Sequence, residues 1–406
     1  MENQTFSKPK KIPSLAQKSF DIGDCMKIIP EIPKKFTGKF PKDFSNSFPN
    51  WGFFSREEIE KNKGKLLMLD IDFGRYCSLN CPYCFRKSSV LDDFCRGVDL
   101  SYDELVSVID DARKLGLISV KICGAGEPTQ NKYFLRFVRD MTERDVGVAV
   151  FTKGQVLGSD KETKRFYSEY GINSALELCK ELKKYKVSVM LAFQSFNTEL
   201  QDKMVGGMKG HTLTRNKALE NLVKAGFNDS NPTRLALCSN PITKENYDEF
   251  FDIYVYARER NIYPVTAVLM TSGKQIDNDF IKKTDVSAQE KIDLYTKIYS
   301  YNIDHGIQTL EQIENGGVSV LPGIHPCNQI ACGLYVTSKG AVVGCPGFTK
   351  KEGDVRKERI SEIWKRSENF KRQGTFNCLC PPKDGKIIPD GFYSKVLQNL
   401  KEKFAK

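Results

Sequence analysis

The chain has 406 residues, 40% apolar and 28% charged, enough for a large core and more than one domain. Its 62 basic and 51 acidic residues give a net charge of +11, but the lysines are scattered with no basic stripe interleaved with aromatics, so they read as a solvated surface before a nucleic-acid face. No apolar run approaches the ~18 residues of a membrane helix, and the N-terminus lacks the apolar stretch of a secretory signal. Thirteen cysteines in such a chain point to a reducing, cytoplasmic setting and to metal or redox chemistry in place of disulfides.

Residues 1–60 read as an N-terminal arm, rich in Pro, Lys and Phe and without helical period. From Leu66 the pattern turns regular. "KLLMLDIDF" is a β-type run, and "SYDELVSVIDDARKLG" is a helix opened by a capping box of Ser101 and Glu104. Then follow strand "ISVKIC", helix "NKYFLRFVRDMTERD", strand "VGVAVFTKG", helix "SALELCKELKKY", strand "VSVMLAFQSF", helix "TLTRNKALENLVKAG", strand "TRLALCSN", helix "TKENYDEFFDIYVYARERN" and strand "YPVTAVLM". Six strands alternating with helices predict an α/β fold, a partial (β/α)6 barrel of parallel strands over residues 61–285, with its site at the C-terminal strand ends. Residues 286–324 carry a linking helix. Residues 325–385 form a small α+β region, with "LYVTSKGAVVG" as a hairpin turning at Lys339-Gly340 and "DVRKERISEIWKRSENFKRQG" as one helix. Residues 386–406 are a terminal helix.

Directly after the first strand, "FGRYCSLNCPYCFRKS" places Cys77, Cys81 and Cys84 at C-x3-C-x2-C spacing. Three thiolates on a tight loop can hold three irons of a cubane and leave the fourth open to a small ligand. A zinc knuckle would need a fourth donor that nothing nearby supplies. The loop resembles the signature of the radical S-adenosylmethionine (SAM) superfamily. That resemblance implies that SAM chelates the open iron of a [4Fe–4S] cluster. Reduction by a partner such as ferredoxin or flavodoxin then yields a deoxyadenosyl radical that abstracts hydrogen from a peptide or small-molecule substrate. Tyr83 fills the family's aromatic position against the adenine.

"GAGEPT", ending the second strand, is similar to the family's GGEP motif. Gly124, Gly126 and Glu127 are thereby implied in holding the SAM amino group, with Ala125 in place of a glycine. "FTKG" resembles a T-N-G turn with Lys153 in place of Asn. Ser195 and Asn240, at later strand ends, are candidates for the SAM ribose or carboxylate; a solvated strand-end serine is the alternative for the first. Arg215 is a candidate for the SAM carboxylate or a surface arginine. Cys238 shares a face with Asn240; it is a candidate hydrogen donor or a small core residue. Cys25, Cys95, Cys123 and Cys179 are isolated and read as structural.

Cys327, Cys332, Cys345, Cys378 and Cys380 cluster near the end of the chain. With the Cys332-x7-Gly340-x4-Cys345 hairpin they resemble the SPASM or twitch extension, which implies one auxiliary [4Fe–4S] cluster that aids oxidation or anchors substrate. A four-cysteine zinc site remains the alternative, and His325 is either a further ligand or a loop residue. Two other functions stay open: an RNA-modifying enzyme of the same superfamily, and a non-catalytic electron-transfer or zinc-binding module.

Overall fold

The computed structural model describes residues 48–86, 97–273, 277–323, 326–376 and 379–405. Its elements run α1 (Arg56–Lys61), β1 (Met68–Ile71), α2 (Tyr102–Arg113), β2 (Ser119–Ile122), α3 (Phe134–Glu143), β3 (Gly147–Thr152), α4 (Asp160–Tyr167), α5 (Ala175–Lys184), β4 (Ser188–Ala192), α6 (Thr198–Met204), α7 (His211–Lys224), β5 (Leu235–Ser239), α8 (Tyr247–Arg258) and β6 (Tyr263–Thr266). They continue as α9 (Asn278–Thr284), α10 (Ala288–Asp304), α11 (Leu310–Gly316), α12 (Gln329–Cys332), β7 (Gly333–Val336), β8 (Ala341–Val343), β9 (Lys351–Asp354), α13 (Ile360–Arg366), α14 (Glu368–Lys371) and α15 (Phe392–Phe404).

The strands form one sheet in the order β6-β5-β4-β3-β2-β1-β7-β8-β9. All neighbours from β6 to β7 are parallel, so the partial barrel expected from the alternation is present. The predicted hairpin is β7–β8, with Gly340 at φ +88° in its turn. It pairs with β1 in register from Met68↔Gly333 to Ile71↔Val336, so the late cysteine region extends the barrel sheet directly.

Side chains alternate across the strands as the period of two requires. Leu69, Ile71, Val120, Ile122, Val148, Val150, Val189, Leu191, Leu235 and Leu237 face outward into the main core, under α2, α3, α5 and α7. Ala149, Met190, Ala236, Cys238 and Val265 face inward. The capping box on α2 forms as read: Ser101 Oγ accepts from Glu104 N, and the Glu104 carboxylate accepts from Ser101 N. A second core joins α8, α10 and α15 through residues such as Phe250, Tyr254, Tyr295, Ile298 and Phe392.

The helix read over 354–374 is two helices. Ser367 is extended (φ −66°, ψ 154°), and its side chain caps Phe370 N, which ends α13 and starts α14. The serine offers the backbone an alternative to continuing the helix. The short helices α4, α6, α9 and α11 fall between the predicted elements, and each shows too little apolar period to announce itself. Within the arm, residues 1–47 lie outside the described residues. Phe48, Trp51 and Phe53 are buried against the inner barrel face, with Phe48 and Phe53 stacked on Tyr263. The arm therefore closes onto the barrel through its aromatic residues, and its last turn is α1, capped by Ser55.

Candidate functional site

The loop after β1 is pinned by the ends of its neighbours. Ser78 N donates to Gln130 Oε1 at 3.0 Å, and Ser78 Oγ accepts from Gln130 Nε2 and Gln155 Nε2 at 2.8 Å each. Glu127 N donates to Tyr76 O at 2.7 Å. Gly126 sits at φ +80°, and a Cβ there would come within 2.9 Å of Gly74 O and Tyr76 O, so only glycine fits beneath the cysteine loop. A Cβ at Gly124 would collide with the Asp72 carboxylate.

Asp72 is where three motifs meet. It is 5% exposed and pairs with Arg86 at 3.0 Å, two residues past Cys84. It accepts from Ala125 N at 2.5 Å, from Ser338 N at 3.0 Å and from the Tyr335 hydroxyl. One carboxylate thus ties the cysteine loop and the glycine turn to the β7–β8 hairpin. Glu127 fixes the next strand end. Its Oε1 accepts from Thr129 Oγ1 and Thr152 Oγ1 at 2.7 and 2.6 Å, and its Oε2 from Lys153 N at 2.8 Å.

These loops surround a cavity of about 240 Å3 at the C-terminal strand ends. Cys77, Cys81, Cys84, Tyr83, Gly124, Gly126 and Glu127 line it together with Cys327, Cys345, Cys380 and Lys383. Cys238 and Asn240 lie along its wall, as their shared strand face required. Lys153 Nζ donates to the Tyr83 hydroxyl at 3.2 Å, and burial pushes the Tyr83 phenol above its ordinary value. Below lies a buried ion pair, Lys121 Nζ to Asp70 Oδ1 at 2.9 Å, under the Trp51 ring. Burial outweighs Lys121 and raises the Asp70 carboxyl to about 6.

Three expected site residues lie elsewhere. Ser195 is neither solvated nor on the cavity wall: it is fully buried, and its hydroxyl donates to the Glu249 carboxylate at 2.8 Å. Arg215 is not a surface residue: it is fully buried over the Phe193 ring, donating to Ser195 O and Gln201 Oε1. Cys332 turns away from the cavity into a small apolar cluster with Phe54, Ile59 and Met68, and its thiol donates to Asn328 O at 3.1 Å. Cys25, Cys95, Cys378 and His325 lie outside the described residues. Cys179 is a core residue. Cys123, read as structural, lines the cavity at the end of β2, and burial raises its thiol to about 12. Lys121, Asp70, Trp51 and Lys383 also escaped the sequence reading. The alternation that puts Asp70 and Lys121 inside a barrel was the one signal available for them.

The donor set suits an iron–sulfur cubane and SAM. Three cysteines share one loop on the cavity wall, side-chain-free glycine backbone lies next to them, and an aromatic ring flanks them. Among the described residues no three His, Cys, Asp or Glu side chains converge as ligands of a single ion; a cubane distributes its cysteines over separate irons. Among the described residues no helix is long and apolar enough to cross a membrane.

The family model of the radical SAM superfamily matches residues 71–256. The PqqA peptide cyclase of Granulibacter bethesdensis is 26% identical over 151 residues, 37% of this chain and 35% of that protein, so the match spans about a third of its length. Among solved structures, anSMEcpe with bound AdoMet and Kp18Cys peptide superposes with a TM-score of 0.56 at 15% identity, covering 83% of this chain and 96% of that one. Streptococcus suis SuiB bound to precursor peptide SuiA gives a TM-score of 0.54 at 14% identity, covering 79% of this chain and 70% of that one. These two likenesses show a shared fold. With its three-cysteine loop at the end of β1 and its glycine turn at the end of β2, the chain carries, over residues 71–256, a domain of the radical SAM superfamily.

Proposed function

We propose that this chain is a SAM-cleaving enzyme that abstracts hydrogen from a peptide substrate and carries two [4Fe–4S] clusters facing one cavity. The observation that carries the proposal is that a single cavity is lined both by Cys77, Cys81 and Cys84 and by Cys327, Cys345 and Cys380. When bound, a cluster on the first three cysteines supplies one-electron reduction of SAM and hence a deoxyadenosyl radical.

The chain's own residues do the rest. Gly124 and Gly126 expose backbone to the SAM methionyl group, and Tyr83, braced by Lys153, supplies a flat face for the adenine. Asn240 and Cys238 line the wall beside it, with Asn240 a polar contact for SAM and Cys238 a hydrogen donor. Ser195 and Arg215 act through the buried network behind β4 and hold that strand end. Trp51, Phe151, Met190 and Val265 exclude water from the inner part of the cavity. Cys327, Cys345 and Cys380, with Cys378 as the fourth thiolate, hold the auxiliary cluster.

A peptide is favoured over a small molecule because the PqqA peptide cyclase, SuiB and anSMEcpe are each named or solved with a peptide. Domain roles follow: 61–285 carries SAM chemistry, 325–385 the auxiliary centre, 1–60 and 386–406 the covers. The test is anaerobic loading of the parent and a Cys77/Cys81/Cys84→Ala triple variant. Iron, sulfide and deoxyadenosine are then measured. Two clusters in the parent and one in the variant, with cleavage lost, support the reading. SAM cleavage that survives in the variant sinks it.

A further inference from the structure

One buried cation in the cavity has no part in the chemistry above. Lys383 is 5% exposed, and its ammonium donates to Val268 O at 3.1 Å. Among the described residues it has no carboxylate at ion-pair distance. Its backbone is fixed: Lys383 N donates to Cys380 O at 2.7 Å, and its carbonyl accepts from Ile387 N and Ile388 N at 2.9 and 3.0 Å. It lines the same cavity as Cys380, Cys345, Cys327 and Cys238.

A buried ammonium offset by one carbonyl is an unfavourable arrangement. Neutral thiols do not relieve it, whereas thiolates bound to iron do. A cubane with four thiolate ligands is negative in its oxidised form and carries one further negative charge when it gains an electron. A fixed positive charge beside it therefore stabilises the reduced form more than the oxidised one. Resting on the auxiliary-cluster reading, we propose that Lys383 is the charge partner of that cluster and raises its reduction potential, which suits the auxiliary centre to accepting electrons and not merely to anchoring substrate.

The test uses the full-length chain with the Cys77/Cys81/Cys84→Ala changes, loaded anaerobically so that the remaining iron belongs to the auxiliary site. Its potential is read by dithionite titration followed by electron paramagnetic resonance, with Lys383 retained or changed as Lys383→Met, Lys383→Gln or Lys383→Arg. The expected result is an unchanged iron content and a more negative midpoint in Lys383→Met, returning toward the parent in Lys383→Arg. An unchanged midpoint in an iron-replete Lys383→Met overturns the inference, whether or not peptide binding weakens. Loss of iron in both Lys383→Met and Lys383→Gln also overturns it, since the lysine would then serve assembly. Absence of iron before any change at 383 is a different failure, that of the auxiliary-cluster reading itself.

Discussion

The late cysteines differ from one another in what their sulfurs face. Cys345 and Cys327 look into the cavity, whereas the Cys332 thiol donates to a carbonyl and sits among Phe54, Ile59 and Met68. A thiol that donates a hydrogen bond is protonated, and burial holds it so. Cys332→Ala is therefore expected to keep the full iron content of the loaded protein, while Cys345→Ala loses one cluster's worth, as read by iron and sulfide analysis. His211 makes a second case. It is 2% exposed, and among the described residues neither ring nitrogen has a hydrogen-bond partner. Burial, then Lys153 and Arg215, depress its pKa to about 3, against the opposing pull of Asp202. A depressed pKa means that the unfolded chain takes the proton first. This part of the stability is complete above the unfolded value of 6.5 and is lost as pH falls toward 3. The loss runs at about 1.4 kcal/mol per pH unit for one proton. Urea unfolding at pH values from 7 to 4 should show His211→Leu with a slope shallower by about one proton.

At the scale of elements, the site depends on how strand ends approach one another. The cysteine spacing and the Ser101–Glu104 capping box are local patterns, and the box formed where the residues indicated. The glycine turn is different, because its chemistry is a close approach. Gly126 lies at positive φ under two loop carbonyls, while Gly171, at φ +76°, faces open space. Gly171→Ala is expected to cost about 1 kcal/mol from backbone strain alone. Gly126→Ala carries the same strain and also displaces the loop that bears Cys77, Cys81 and Cys84. Its expected signature is a SAM affinity weakened at least tenfold in the loaded protein, measured by equilibrium titration, with Gly171→Ala binding as the parent does.

Among the described residues the strands form one sheet, and the two largest apolar cores meet at α8. The main core lies under the barrel helices, and the second joins α8, α10 and α15. Phe392 is fully buried in the second, packed edge-on against Tyr295 with ring centroids 5.0 Å apart. Phe392→Ala should cost about 3–5 kcal/mol in denaturant unfolding, from lost transfer energy and the cavity left behind. Because Phe392 does not line the cavity, SAM affinity of the folded fraction is expected to stay within a factor of about two, a difference below 1 kcal/mol.

What the residues alone determined is everything carried by short spacing: the C-x3-C-x2-C loop, the glycine turn, the alternation of six strands with helices, and the hairpin at Lys339-Gly340. Such features depend on covalent distance and side-chain period, which a chain displays without folding. Tertiary structure decided the rest. It put Cys327 on the cavity wall and the Cys332 thiol against Asn328 O, at the end of the four-residue α12. It brought Cys123 to the cavity, buried Arg215 behind it, and set Asp72 among residues more than 250 positions apart. It also put Lys383 on the wall of the same cavity as Cys327, Cys345 and Cys380, with no carboxylate at ion-pair distance among the described residues. These are contacts between segments distant in sequence, and no local pattern records which of many possible partners the folded sheet will bring together.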